Sequence, residues 1–253
     1  MKKVLLFFVT VFVASIGYSQ VSNGEAVNIA GKQRMISQRM LKCYMMIGAD
    51  IKTDQARKEL DESVAAFEEG FLSLSDYAPN DRISKSLDKV RELWEPFRLH
   101  IVSTPNHKDA SVLLGQADKL LAASQQVVEE IETYLRLKSA KLVDKAGRQR
   151  MLSQKIAMYY IAHYWKVPNN DLYTNLVKAT KEYEQALIIL NESELNTEEI
   201  DLNLKKINSQ WAFSKKTFDP RSDRLMPSVV IVTTNAMLKN MDNITGLYAA
   251  LVE

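Results

Sequence analysis

Two decapeptides hold the residues best suited to chemistry. Ala30-Gly31-Lys32-Gln33-Arg34-Met35-Ile36-Ser37-Gln38-Arg39 recurs as Ala146-Gly147-Arg148-Gln149-Arg150-Met151-Leu152-Ser153-Gln154-Lys155, with seven of ten positions identical. At about 100° per residue, Gly31, Arg34, Met35 and Gln38 fall on one side of a helix, and Gly147, Arg150, Met151 and Gln154 repeat the pattern. Ile36, Met40, Cys43 and Tyr44 lie opposite, as the core stripe of a bundle helix should. A glycine inside a helix costs about 1 kcal/mol relative to alanine. A chain that accepts this twice, at matching places, gains a close approach by another backbone or by a ligand. The arginine one turn on offers a planar fork of donors suited to a small oxyanion or carboxylate. Two such helices face to face would set two guanidinium groups across a near-dyad, which is unfavourable unless an anion or carboxylates lie between them. Two readings follow. Gly31, Arg34, Gln38, Gly147, Arg150 and Gln154 bind a small anion, or the arginines bridge to acids on neighbouring helices while the glycines permit tight packing. Glu68 and Glu184 recur at matching positions and are candidates to neutralise the arginines.

Other chemistries find little support. The chain has one Cys and three His, with no HExxH or ExxH pattern, no GxSxG and no P-loop. No catalytic residue, metal site or cofactor is expected, and the sequence does not read as an enzyme. Trp94 and Trp211 stand at equal places among apolar residues at helical spacing, which favours core packing over ligand stacking. Cys43 lies on the core stripe and reads as a buried thiol, whereas His107, in a Thr104-Pro105-Asn106 turn, reads as solvated.

The elements that must position the boxes are themselves duplicated. The offset of 116 that relates Gly31 to Gly147 also aligns Phe67 with Tyr183 and Leu74 with Leu190; an offset of 117 aligns Ile83, Leu87, Val90 and Trp94 with Ile200, Leu204, Ile207 and Trp211. Apolar spacing is helical throughout, and start signals cluster at Thr53-Asp54, Asn80-Asp81, Asn106 to Asp109, Pro168 to Asp171 and Asn196-Thr197. The expectation is an all-α tandem of two up-down four-helix bundle modules, 20–138 and 139–253. With only Gly115 and Gly147 and no proline between Ser111 and Lys166, the fourth helix is free to run straight into the fifth as one long helix.

Residues 1–19 have two lysines, an apolar run from Val4 to Ile16 and small residues at Gly17 and Ser19, the pattern of a secretory signal peptide. The expected location is periplasmic or secreted, with no stable membrane insertion once the signal is cleaved. Over the chain, 33 basic and 31 acidic residues give a net charge of +2, without the basic field that nucleic acid requires. The 46% hydrophobic and 25% charged fractions suit a folded domain, and 8 Gly with 6 Pro suit long helices.

The boxes AGKQRMISQRM and AGRQRMLSQKI resemble the first sensor helix of the type IV pili methyl-accepting chemotaxis transducer N-terminal domain, the PilJ-like family, which is similar to the periplasmic sensor domain of NarX-type nitrate/nitrite kinases. The resemblance implies a four-helix periplasmic domain that dimerises along its first helix and binds nitrate or nitrite between paired arginines and nearby glycine backbone. The matching positions are Gly31 and Arg34, then Gly147 and Arg150. Gln33 and Gln149 depart from the small or apolar residues of the nitrate sensors. The relatives' second membrane span and transmitter have no counterpart in the sequence, so a reporting role implies a homodimer or a membrane-protein partner. The alternative is a structural or adaptor protein that uses the boxes only to pair helices.

Overall fold

The computed structural model describes residues 21–136 and 138–251; the expected signal peptide lies outside the described residues. Among them the chain forms eight α-helices, one 3-10 helix and no strand. The helices are α1 (Asn23–Gly48), α2 (Thr53–Tyr77), α3 (Asp81–Ile101), α4 (His107–Leu135), α5 (Lys138–Tyr164), α6 (Leu172–Asn191), α7 (Glu198–Ser214) and α8 (Pro227–Ala249). The all-α expectation holds, and helices start at the expected signals, although α2 and α6 begin without a side-chain cap. The side chains of Asn80, Asn106 and Thr197 accept from backbone N–H groups of the first turns of α3, α4 and α7. Pro227 opens α8, where its missing donor costs nothing.

The two box helices form the spine. α1 and α5 lie side by side and parallel, with Gly31 against Gly147 near one end and Gly48 and Tyr44 against Trp165 near the other. Each box helix collects its own neighbours antiparallel to it. α1 packs on α2 and α4, while α5 packs on α6 and α8; α3 and α7 complete the two sets. Tyr44 accepts the Asn106 N–H at 3.2 Å and Tyr160 accepts the Met226 N–H at 2.9 Å, so each box helix fixes the start of α4 or α8. Trp94 stacks on Phe67 at 4.2 Å and Trp211 on Tyr183 at 4.7 Å between ring centres, which makes both tryptophans core residues, as read from their spacing.

One expectation is corrected. α4 and α5 are not a continuous helix. α4 ends at Leu135, and Arg136 adopts the left-handed conformation, φ 56° and ψ 25°, with its N–H closing on the Glu132 carbonyl. The reason is directional. α4 runs antiparallel to α1, so a straight continuation would carry α5 away from its place parallel to α1. The absence of proline and glycine removed the usual markers of a turn, yet packing of the boxes forces a reversal on an arginine.

Left-handed backbone costs a residue with a Cβ about 1–2 kcal/mol, and a β-branched residue tolerates it worst. Arg136→Gly should match or exceed the wild-type stability, while Arg136→Val should lose about 1 kcal/mol or more. Urea unfolding of both variants checks this, and equal midpoints would contradict a strained reversal.

Candidate functional site

The box residues meet at the α1–α5 seam. Arg34 and Arg150 are both fully buried, and their terminal Nη2 atoms converge on the paired glycines. A Cβ built on Gly31 would lie 3.2 Å from Arg150 Nη2 and 3.4 Å from Arg34 Nη2; one on Gly147 would lie 3.3 Å from each. The glycines therefore admit both guanidinium groups and the facing backbone, the close approach inferred from their cost. The two arginines pair within one chain.

Two apposed cations need opposite charge, and the chain supplies it. Arg34 Nη1 donates to Asp144 Oδ1 at 2.5 Å and to Gln125 Oε1, while its Nη2 donates to the Asp144 carbonyl at 3.3 Å. Arg150 Nη1 donates to Asp242 Oδ1 at 2.6 Å and to Asn28 Oδ1 at 2.8 Å, and its Nη2 donates to the Asn28 carbonyl at 3.3 Å. The offsets of the repeat match Asn28 with Asp144 and Gln125 with Asp242. Each guanidinium thus holds one carboxylate and one amide oxygen, with the two kinds exchanged between the opposing box helix and the flanking helix. Burial lowers the Arg150 pKa, and Asp242 works against that shift. Glu68 and Glu184 do not reach the arginines: they pair with Arg98 at 2.7 Å and Lys215 at 2.9 Å.

Gln38 and Gln154 are buried but brace the box helix itself. Their Nε2 groups donate to Ser37 and Ser153, whose hydroxyls donate to the carbonyls of Arg34 and Arg150 at 2.8 and 2.7 Å. Gln33 and Gln149 donate to the carbonyls of Phe67 and Tyr183 and tie each box helix to α2 or α6. Arg34 Nε, Arg150 Nε, Gln38 Oε1 and Gln154 Oε1 are buried without a partner among the described residues. Sequence reasoning found the arginines, glycines and glutamines but missed Asn28, Gln125, Asp144 and Asp242. The polar pair at Asn28 and Asp144, three residues before each glycine, was the available signal.

Elsewhere the single-residue readings fare unevenly. Burial pushes the Cys43 thiol up to about 12, consistent with an inert core position. His107 stacks on Trp165 at 4.6 Å, with Nε2 2.9 Å from the Trp165 carbonyl oxygen, and so docks on the second half despite its exposure. Among the described residues no group of three or more His, Cys, Asp or Glu is placed to hold a metal.

Glu132 adds an asymmetry to the seam. Burial, reinforced by Asp144 and opposed by Arg34, pushes its carboxyl up to about 7; its counterpart is Ala249. The folded chain keeps this proton to a higher pH than the unfolded chain. The resulting stability is full below about 4.5 and is lost as pH rises through about 7. Unfolding in urea across this window should show that decline in wild type, and Glu132→Gln should flatten it; an unchanged slope would mean the carboxyl is not buried as described. At the arginines, Asp144→Asn should cost about 3 kcal/mol because it leaves a buried guanidinium without its counter-charge. Glu68→Gln, in a half-exposed pair, should cost less than about 1 kcal/mol by the same measurement.

Residues 18–127, which include α1 to α3 and most of α4, match the model of the family described as type IV pili methyl-accepting chemotaxis transducer N-term. No curated protein and no solved structure matches the chain. With its Gly31-Arg34 box helix at the centre of a four-helix set, the first half of this chain is similar to the type IV pili methyl-accepting chemotaxis transducer N-terminal family.

Proposed function

We propose that the chain is an exported sensor module whose two four-helix units, 20–138 and 139–253, meet along α1 and α5 as two protomers would, and that a small anion acts at the Arg34–Arg150 pair. The match of residues 18–127 to a signalling sensor family supports the sensing role. Among the described residues no helix is long and apolar enough to cross a membrane. A periplasmic position agrees with the leader read at residues 1–19 and with the family. Nitrate or nitrite is the ligand suggested by resemblance, and a membrane protein or a second copy of the chain would receive the signal.

The observation that carries the ligand reading is a pair of buried guanidinium groups whose Nε donors have no acceptor. Asp144 and Asp242 already occupy the Nη donors, but their side chains are 21% and 48% exposed. An incoming anion could displace them, because a released carboxylate has a path to water. Displacement would loosen α5 from α1 at Asp144, or α8 from α5 at Asp242, and change the packing that a partner meets. The second reading, helix pairing without ligand, is favoured by the same carboxylates, since they neutralise the arginines unaided.

Thermal unfolding with nitrate, nitrite and acetate at fixed ionic strength, with chloride as control, separates the two. A ligand at a hundred times its dissociation constant adds about 2.7 kcal/mol, a shift large enough to read. The ligand reading expects a specific gain in wild type, its loss in Arg34→Ala with Arg150→Ala at unchanged helical content, and a larger gain in Asp144→Asn. No anion-specific gain in wild type or in Asp144→Asn would leave helix pairing as the role of the boxes.

A further inference from the structure

The two halves part company at one place beside the seam. In the first half, Glu59 on α2 is buried, and its carboxylate accepts from Lys42 Nζ at 3.2 Å and from Gln55 Nε2 at 2.7 Å, with Arg39 Nε at 3.7 Å. Lys42 is itself fully buried and also donates to Asn235 on α8 at 2.9 Å. Burial alone would raise the Glu59 carboxyl, but Lys42, Gln55 and Arg39 together hold it below its ordinary value. The carboxylate, its cation and the gap between α1, α2 and α8 are thus fitted to one another.

The second half loses this carboxylate together with its buried cation, and keeps a cation only at the place of Arg39. Asn175 stands at the position of Glu59, Met158 at that of Lys42, Tyr159 at that of Cys43 and Lys155 at that of Arg39; Asp118 stands at that of Asn235. A cavity of about 390 Å³ opens there between α4, α5 and α6, bordered by Gln125, Arg148, Lys155, Tyr159, Asn175 and Lys178. Its size falls within the usual range for small-molecule sites. Three cations line it against two acids. Lys155 pairs with Asp118 at 3.0 Å and Arg148 pairs with Glu182, which leaves Lys178 without an acid partner among the described residues. Met151 and Leu152 give the cavity an apolar wall.

We propose that this cavity binds a small organic carboxylate, whose charged end takes the place in the second half that the Glu59 carboxylate fills in the first. Lys178 supplies the charge, with the Asp118-paired Lys155 beside it, the Asn175 amide supplies a donor, and the Met151–Leu152 wall takes the apolar body of the ligand. An inorganic anion would leave that wall uncovered, so an organic acid is the better fit. Gln125 connects the cavity to the seam, because its Oε1 accepts from Arg34. Occupancy would therefore bear on the Arg34 clamp from outside it. This site does not rest on anion binding between the arginines.

Titration calorimetry of the full chain with propionate, benzoate and succinate at fixed ionic strength, with chloride as control, tests the assignment. At least one acid should bind saturably, with a Kd of about 1 mM or tighter. Asn175→Glu supplies the missing carboxylate from within and should weaken binding about tenfold or more. Lys178→Glu, at an exposed position, should do the same and keeps the test valid if Asn175→Glu folds poorly. Arg34→Ala with Arg150→Ala should retain binding. Failure of all three acids to saturate overturns the proposal, as does wild-type affinity in both cavity variants. Loss of binding in the arginine variant with retention in the cavity variants would move the ligand to the seam and overturn it equally.

Discussion

The seam of this molecule is arranged around the burial of two like charges that converge on one pair of glycines. A guanidinium group removed from water is expensive, and two of them sharing a site repel as well. The structure meets this in three ways at once. The glycines remove the side chains that would stand in the way, the aspartates bring counter-charge, and the amides of Asn28 and Gln125 supply a second side-chain acceptor to each guanidinium. None of the three works without the parallel placement of α1 and α5. That placement in turn dictates the reversal at Arg136 and the antiparallel seats of α4 and α8, which deliver Gln125 and Asp242 to the seam.

The duplication produces a dyad that holds for the arginines and fails for their partners. Around Arg34 the acid comes from the opposing box helix and the amide from the flanking helix; around Arg150 the sources are exchanged. Charge balance survives the exchange because each guanidinium still meets one carboxylate. The exchange also has a mechanical meaning. Asp144 ties Arg34 to the other half, whereas Asp242 ties Arg150 within its own half. The two ion pairs therefore fasten different helices, and loosening one is not equivalent to loosening the other.

The fold was largely legible in the sequence because helical spacing, capping residues and a long repeat are local signals that pack into a bundle in few ways. Asn80, Asn106 and Thr197 announced their helices, and the stripe opposite Gly31 announced the core. The turn at Arg136 was not legible, since it is imposed by the partner helix and carries no proline or glycine. At the seam, the arginines and glycines stood out by their types and spacing. Their carboxylates did not, because Asp144 and Asp242 approach from other helices and Glu68 and Glu184 were better matched by repeat position alone. The His107 contact with Trp165 was hidden for the same reason: it joins segments far apart in the chain.

The short connection from Leu135 to Lys138 has a consequence for how the two halves can vary. Sensor-like units that meet as separate chains are held by an equilibrium that dilution can shift, and every change in one appears in its twin. Here the second box helix is delivered to the first at the high effective concentration of a tethered neighbour. The seam therefore forms without any dependence on protein concentration. Its two sides are also encoded separately, so one half is free to carry a charge where the other carries an amide.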